Sequence, residues 1–117
     1  MPTAGLMRPT QMSEYLKDRT REYVHYFNTK DIKGVLSLVH DDFKLKDPGN
    51  LIEGKEGFRA FLEGFFTNEI GFKAKDVFTD AGHSVIHFDL KVNEDHLKGV
   101  DIIKWEDGKM ISLVAYL

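Results

Sequence analysis

The sequence predicts an α+β fold in which three N-terminal helices pack in the concavity of a curved, mainly antiparallel sheet. Two observations carry this prediction. Apolar residues recur mostly at helical spacing up to Asn68, whereas from Gly71 onward they alternate with polar residues at the period of a strand. Turn-forming segments separate the alternating stretches, as is typical of an antiparallel sheet. A sheet that follows a group of helices leaves space for a pocket between the two layers.

Composition sets the class of protein. The 117 residues are expected to form one domain over residues 10–117, preceded by a flexible tail over residues 1–9. The net charge of −3, with acids and bases interleaved, argues against a nucleic-acid partner, and the composition suggests no membrane span. The absence of cysteine excludes disulfides and thiolate metal sites. A cytoplasmic location is the expectation.

Three amphipathic helices are expected before the sheet. The first spans about residues 10 to 28 and places Tyr23 on its apolar face. The second follows Asp31, which suits an N-cap, and continues through Val39. The third ends near Asn68 and has the most hydrophobic face of the three. Its apolar positions are Phe58, Phe61, Leu62, Phe65 and Phe66.

The last two strands have apolar residues on both faces. One runs from Leu97 to Trp105, and the other occupies residues 110–117. Three helices are too few to cover both faces of the sheet, so the outer face is expected to be covered by a second copy of the chain. The sequence therefore predicts a homodimer through the outer sheet face.

Three polar residues interrupt apolar faces on separate elements: Tyr23 in the first helix, Asp47 at the end of the first strand and Asp101 within a late strand. Pro48 ends the first strand and leaves the Asp47 side chain at its rim. Asp101 stands mid-strand, where aspartate is disfavoured, and no Lys or Arg shares its face. A carboxylate there is costly to bury, so pairing, protonation or outward exposure is expected.

At these residues the chain resembles the ketosteroid isomerase (steroid delta-isomerase) family, within the broader NTF2-like and SnoaL-like group. The resemblance implies the cone-shaped NTF2-like fold and covers nearly the whole chain after residue 10. The positions that carry it are Tyr23-Val24, Asn28, Asp31, Asp41-Asp42, Asp47-Pro48, Gly54, Val100-Asp101, Trp105 and Gly108-Lys109.

The resemblance implies a cofactor-independent, metal-free isomerase that moves a β,γ double bond into conjugation with a ketone. Asp47 would act as the base, and Tyr23 with a protonated Asp101 would form the oxyanion hole, as in the well-known isomerase itself. The ligand would be small and apolar, either steroid-like or polyketide-like. The residues expected to line its pocket are Phe27, Phe61, Phe65, Phe88, Ile103 and Trp105.

Two other interpretations fit the same residues. SnoaL-like polyketide cyclases resemble the chain in fold and use an acid/base carboxylate, so Asp47 or Asp101 could serve an aldol-type ring closure. Many NTF2-like chains are instead non-catalytic ligand-binding or dimerisation domains. In that role Tyr23, Asp47 and Asp101 would satisfy one another, and neutralising either acid would leave ligand affinity almost unchanged.

Overall fold

A computed structural model describes residues 8–117, and residues 1–7 of the predicted tail lie outside that range. Three helices and six strands follow the predicted order of helices before most of the sheet, which confirms the α+β prediction. The elements are α1 (Pro9–Asn28), α2 (Ile32–Ser37), β1 (Val39–Asp47), β2 (Asn50–Glu53), α3 (Lys55–Phe65), β3 (Ile70–Thr79), β4 (His83–Val92), β5 (Asp95–Glu106) and β6 (Lys109–Tyr116).

The helix boundaries differ from the prediction at three points. Pro9, assigned to the tail from sequence, is the first residue of α1, where its missing N–H is not needed. Helix α2 ends at Ser37, and Val39 begins β1, because the amide of Met110 donates to the carbonyl of Leu38 and draws this segment into the sheet. Helix α3 ends at Phe65 rather than near Asn68.

Asn68 explains the early end of α3. Its side-chain amide donates to the carbonyl oxygen of Phe65 at 2.9 Å, and its backbone amide donates to the same oxygen at 3.1 Å. A polar side chain that satisfies a terminal carbonyl favours the end of a helix over its continuation. Asn68 therefore lies beyond the helix and caps it.

The six strands form one curved open sheet in the order β2-β1-β6-β5-β4-β3. Only the β1–β6 pair is parallel; the other four pairs are antiparallel, as predicted. Helix α1 packs on β3 and β4, while α3 packs on β1 and β2. The helices therefore cover one face of the sheet along most of its width, and the core lies between the two layers.

Asn28 joins the end of α1 to β3. Its side-chain oxygen accepts a hydrogen bond from the Phe72 amide at 2.8 Å, and its side-chain nitrogen donates to the Phe72 carbonyl at 2.6 Å. The pair copies the hydrogen-bonding pattern of a neighbouring strand. Asn28 thereby fixes the position of the Phe72 backbone relative to the end of α1, and with it the place where the Phe72 ring enters the core.

The outer face of the sheet keeps apolar side chains in contact with solvent. Phe78 on β3, Ile102 on β5 and Tyr116 on β6 are 61%, 38% and 57% exposed. Register places Ile102 beside Val114 and Tyr116 beside Val100, so these residues belong to one surface. Within residues 8–117, no helix combines the length and hydrophobicity that a membrane crossing requires.

Candidate active site

A cavity of about 140 Å³ lies between the helices and the concave face of the sheet. Tyr23, Asp47 and Asp101 all contribute to its wall, so the fold brings together the three polar residues that the sequence analysis singled out. The other lining residues are all apolar. They are Phe27, Leu45, Phe58, Phe61, Phe65, Phe72, Phe88, Leu90, Val92, Leu97, Leu113, Ala115 and Leu117.

Tyr23 reaches the cavity from the buried stripe of α1. Leu16, Thr20 and Phe27 share this stripe at helical spacing, and the Thr20 hydroxyl donates to the Leu16 carbonyl at 2.6 Å, so the one other polar side chain of the stripe is satisfied within the helix. The Tyr23 side chain is 3% exposed. Burial, with a further contribution from the nearby Asp101, raises the pKa of Tyr23 well above its ordinary value. The hydroxyl therefore keeps its proton and can donate a hydrogen bond.

Asp101 enters from the middle of β5. Strand register places it between Ile86 on β4 and Ala115 on β6, and only 6% of the residue is exposed. Burial, reinforced by the negative charge of Asp47, raises the pKa of Asp101 to about 7. The carboxyl group is therefore protonated below neutral pH, and protonation was one of the outcomes expected for a buried acid without a cationic partner.

Asp47 lies at the last position of β1, where a two-residue connection of Pro48 and Gly49 leads into β2. Its Oδ1 accepts hydrogen bonds from the Gly49 amide at 2.8 Å and from the Asn50 side-chain nitrogen at 3.0 Å, while Oδ2 lies 3.1 Å from the same nitrogen. These contacts hold the carboxylate in one orientation at the cavity rim. Asp47 is half-buried, unlike the two deeper polar groups.

The Tyr23 hydroxyl and the Asp101 carboxyl have no hydrogen-bond partner among the described residues. Among residues 8–117, no side chain or backbone group forms a hydrogen bond with the Tyr23 hydroxyl or the Asp101 carboxyl. Neither group has a fully enclosed oxygen, since the only fully enclosed side-chain atoms without a partner among residues 8–117 are Arg19 Nε and Asp89 Oδ1. The oxygens of Tyr23 and Asp101 are therefore accessible from the cavity. Two proton donors that face an apolar cavity without a protein partner are suited to bind an acceptor atom of a ligand.

Phenylalanine rings build the apolar wall around these groups. Phe61 and Phe65 on α3 are stacked, with ring centroids 5.5 Å apart and planes 12° apart. Phe72 packs against Phe27 at 5.1 Å and Phe88 at 5.0 Å, and its ring meets the Tyr23 ring edge-on at 6.5 Å. The cavity is therefore bounded by flat apolar surfaces on the helix side and on the sheet side.

Four of the six predicted lining residues face the cavity, and two do not. Phe27, Phe61, Phe65 and Phe88 contribute to the wall. Ile103 and Trp105 lie on the same face of β5 as Asp101, but they are enclosed in the core away from the cavity, where the Trp105 indole N–H donates to the Ser84 hydroxyl at 2.8 Å. Alternation identified the correct face of the strand but not how far the cavity extends along it.

Several lining residues were missed in the sequence analysis. Phe72 is the most important, because its ring contacts Tyr23 and two of the predicted wall residues. The alternation of Ile70, Phe72 and Ala74 along β3 was a signal that could have identified it. Asn50, which holds Asp47, was also missed, since the turn composition around it gave no hint of a contact back to the acid.

Gly99 allows the end of the chain to pack closely on β5, two residues before Asp101. A Cβ atom at this position would overlap the Tyr116 carbonyl oxygen and would lie 2.9 Å from both the Phe88 ring and the Leu117 side chain. The missing side chain lets the end of the chain and the Phe88 ring approach β5 closely. The wall beside Asp101 is consequently packed without spare space.

A larger depression of about 390 Å³ lies at one end of the sheet, where β3, β4 and β5 contribute Lys73, Lys91 and Lys98 to its border. It contains none of the three candidate catalytic residues. Asp89 also borders the depression, and its Oδ1 is a buried atom without a hydrogen-bond partner that lies 4.0 Å from the Lys75 ammonium nitrogen. The smaller cavity, which brings Tyr23, Asp47 and Asp101 together, is therefore the candidate active site.

Comparison with known families identifies the chain. The sequence profile of the SnoaL-like domain matches residues 20–113, which is most of the sequence. The protein belongs to the SnoaL-like domain family. The matched region of this SnoaL-like domain includes Tyr23, Asp47 and Asp101. No functionally curated protein gives a significant match to the chain.

Solved structures similar to this SnoaL-like domain confirm the NTF2-like fold. An NTF2-like protein of unknown function from Cytophaga hutchinsonii superimposes with a TM-score of 0.77 at 19% identity, over 85% of this chain and 86% of the other. A candidate ketosteroid isomerase from Kribbella flavida gives 0.82 at 16% identity, over 88% and 77%. A candidate polyketide cyclase from Sinorhizobium meliloti gives 0.77 at 11% identity, over 85% and 94%. At these identities the similarity concerns the fold alone.

Proposed function

We propose that this SnoaL-like domain is a ketosteroid-isomerase-like enzyme that shifts a β,γ carbon–carbon double bond into conjugation with a carbonyl group. The observation that carries the proposal is the pair of buried donors, Tyr23 and Asp101, which face the cavity without a protein partner and share its wall with Asp47. The ligand is a small apolar molecule that presents its carbonyl oxygen to the two donors.

The proposed reaction needs only these three side chains. The carbonyl oxygen accepts hydrogen bonds from the Tyr23 hydroxyl and the protonated Asp101, and the Asp47 carboxylate removes a proton from the α-carbon. The electrons of the broken C–H bond form an enolate, whose oxygen is stabilised by the same two donors. The proton on Asp47 then passes to the γ-carbon, and the carbonyl bond forms again. The carboxylate is regenerated, so no net proton is consumed.

The different degrees of burial of Tyr23, Asp101 and Asp47 support this assignment of roles. Asp101 and Tyr23 are the two most buried of the three groups, and burial favours their neutral, donating forms. Asp47 is half-buried and hydrogen-bonded to Asn50 and the Gly49 amide, as suits the carboxylate that exchanges a proton with substrate. Two acids with different environments commonly divide acid and base roles in this way.

Turnover tests the proposal. The conjugated enone absorbs in the ultraviolet, so purified protein can be assayed with β,γ-unsaturated ketones that carry one ring, such as cyclohex-3-en-1-one, or four rings, such as a ketosteroid. Tyr23→Phe is expected to lower kcat by about 10²- to 10³-fold, because one donor to the developing oxyanion is lost. Tyr26→Phe, on the same helix but outside the cavity wall, should leave kcat within about threefold of the wild type.

Absence of turnover with every ketone in the folded wild-type protein would overturn the isomerase proposal. If the protein then binds cyclohexanone or a saturated ketosteroid with an affinity that is unchanged in Tyr23→Phe, the non-catalytic binding domain becomes the better interpretation. A Tyr26→Phe defect as large as that of Tyr23→Phe would also contradict the proposal, since it would reflect damage to helix α1 instead of a lost donor.

We also propose that the domain forms a homodimer through the outer sheet face, because the exposed Ile102, Phe78 and Tyr116 lie on that surface. Light scattering after size-exclusion chromatography is expected to give twice the chain mass of 13.4 kDa. Ile102→Glu should convert the dimer into monomer, whereas Arg21→Glu on the exposed side of α1 should not. A wild-type monomer at all concentrations would contradict this assembly.

A further inference from the structure

The cavity that holds the three polar groups is small. Its volume is about 140 Å³, whereas pockets for drug-sized ligands commonly measure about 300–1,000 Å³. An engineered apolar cavity of about 150 Å³ in another protein accommodates one benzene molecule. The space between Tyr23, Asp101 and Asp47 and the surrounding walls is therefore the size of one six-membered ring.

The closed end of this space is made of rigid elements. Phe72, Phe88 and Leu113 are buried side chains of three different strands, and Phe58 is a buried residue of α3. Dense packing of this kind resists expansion, since each displaced ring must move others. The missing side chain of Gly99 leaves no additional space, because the Phe88 ring and the end of the chain already occupy the volume that a side chain would fill.

The exit of the cavity lies where its wall becomes exposed. Leu97 is 37% exposed and Leu117 is 55% exposed, and both belong to the lining. A second recess of about 210 Å³ on the other side of Asp47 is lined by outer-face residues such as Lys46, Val114 and Tyr116. That recess belongs to the opposite face of the sheet and does not lengthen the space in front of Asp101.

The chemistry of the lining defines the buried part of the ligand further. Tyr23, Asp47 and Asp101 are the only polar residues among those that line the cavity within the described chain. Any additional polar atom inside would be buried without a partner, which costs binding free energy. The buried part therefore has one acceptor oxygen at the closed end and otherwise only carbon and hydrogen.

We propose that the substrates of this site are monocyclic unsaturated ketones, in which one six-membered ring carries the carbonyl, and that fused polycyclic ketones such as steroids are excluded. This inference rests on the proposed isomerase function and narrows its substrate class. The ring lies between the phenylalanine walls, its carbonyl oxygen meets Tyr23 and Asp101, and its α- and γ-carbons meet Asp47. Substituents on the ring extend through the exit between Leu97 and Leu117.

Binding of unreactive ketones separates ring size from turnover. Acetophenone has a single ring, 2-acetonaphthone has two fused rings and progesterone has four fused rings, and each of the three is a ketone. Calorimetry at pH 6 measures their affinities for the full chain. In an unrestricted apolar pocket, affinity rises with ring number, because each ring buries more apolar surface. The proposed site predicts the reverse order, with acetophenone bound at least about tenfold more tightly than progesterone.

Widening the cavity should reverse that preference. Phe61 is half-buried and stacks on Phe65 in the α3 wall, so Phe61→Ala removes a ring from the lining without opening the closed core. Phe61→Ala is expected to improve progesterone binding by about tenfold or more and to weaken acetophenone binding, since acetophenone loses apolar contact with one ring of the wall. Phe78→Ala, which removes a 61% exposed ring on the outer face, is the matched control and should change neither affinity.

The outcomes distinguish the inference from the proposed function. Asp47-dependent turnover of cyclohex-3-en-1-one, with kcat/KM at least about tenfold above that of a ketosteroid, supports both. Asp47-dependent turnover that favours the ketosteroid, or wild-type affinity that rises with ring number, overturns the ring-size inference and leaves the isomerase proposal standing. Failure to bind any of the three ketones overturns the inference together with the proposed function.

Discussion

Asp47→Asn is expected to reduce kcat for double-bond migration by about 10²- to 10⁴-fold, the contribution that a positioned general base commonly makes. The substitution keeps the size and shape of the side chain and removes only its ability to accept a proton. The amide oxygen can still accept the hydrogen bond from the Gly49 amide, so the hairpin between β1 and β2 is expected to persist. The loss should therefore appear in kcat, with ligand affinity changed little.

The matched control is Asp42→Asn, which neutralises an exposed carboxylate on the same strand, outside the cavity wall. It should leave kcat within about threefold of the wild type. Thermal unfolding of both variants establishes that they are folded. Residual turnover in Asp47→Asn close to that of Asp42→Asn would show that another group moves the proton, and the assignment of Asp47 as the base would be wrong.

The local patterns of the sequence were sufficient to identify the three polar residues. Tyr23 interrupts an apolar stripe at helical spacing, and Asp101 interrupts an apolar face at the spacing of a strand, so each is visible from its immediate neighbours. Pro48 ends β1 at Asp47, and the structure places the end of the strand at that residue. These features depend on residues that are close in sequence, so a single sequence is sufficient to predict them.

Features that depend on long-range pairing were not visible. Asp101 lies between Ile86 and Ala115 because of the register of two strand pairs, and register cannot be inferred from the alternation within one strand. The bulge between Ala74 and Asp76 breaks the period of β3, and it too arises from pairing with β4 and not from the alternation within one strand. The early end of α2 has the same origin, since pairing with β6 draws Val39 into the sheet.

Dimensions were the second kind of information that the sequence lacked. The fourteen aromatic residues of the sequence can build either a bulky core or the lining of a pocket. The structure shows the rings packed on one another, with only about 140 Å³ left between them. The number of aromatic residues indicates how much apolar surface is available. Packing determines how much of that surface remains open.

The stability of the protein is expected to depend on pH through Asp101, and Asp101→Asn is expected to remove that dependence. The pKa of Asp101 is about 7 in the folded protein, against an ordinary value of 3.8. Below about pH 4 the group is protonated in both states, and its contribution to stability is complete. As the pH rises from about 4 to 7, the unfolded chain ionises while the folded protein retains the proton, so the free energy of unfolding falls. Above pH 7 both states are ionised, and no further loss follows.

The separation of the two pKa values corresponds to a loss on the order of 4 kcal/mol, since one pKa unit is about 1.4 kcal/mol. Asn has nearly the shape of the protonated acid but cannot ionise. Chemical denaturation should therefore find wild type and Asp101→Asn similarly stable at pH 4, and the variant more stable by up to this amount at pH 8. Asp95→Asn, at an exposed position of β5, should show no such divergence. A wild-type minus variant difference that stays constant from pH 4 to pH 8 would mean that Asp101 does not retain its proton.

The same variant is expected to lose activity at pH 6, where Asp101 is protonated, although it gains stability at pH 8, and this opposition follows from the position of Asp101. A buried acid destabilises the folded protein when it ionises. In its neutral form it donates a hydrogen bond to the developing oxyanion, and this bond is stronger than the one that an amide N–H donates. Wild-type turnover should accordingly decline as the pH rises through about 7, where Asp101 loses its proton. A pH profile that is flat across this range in the wild type, measured with the same ketone, would separate Asp101 from the oxyanion hole and leave Tyr23 as its sole donor.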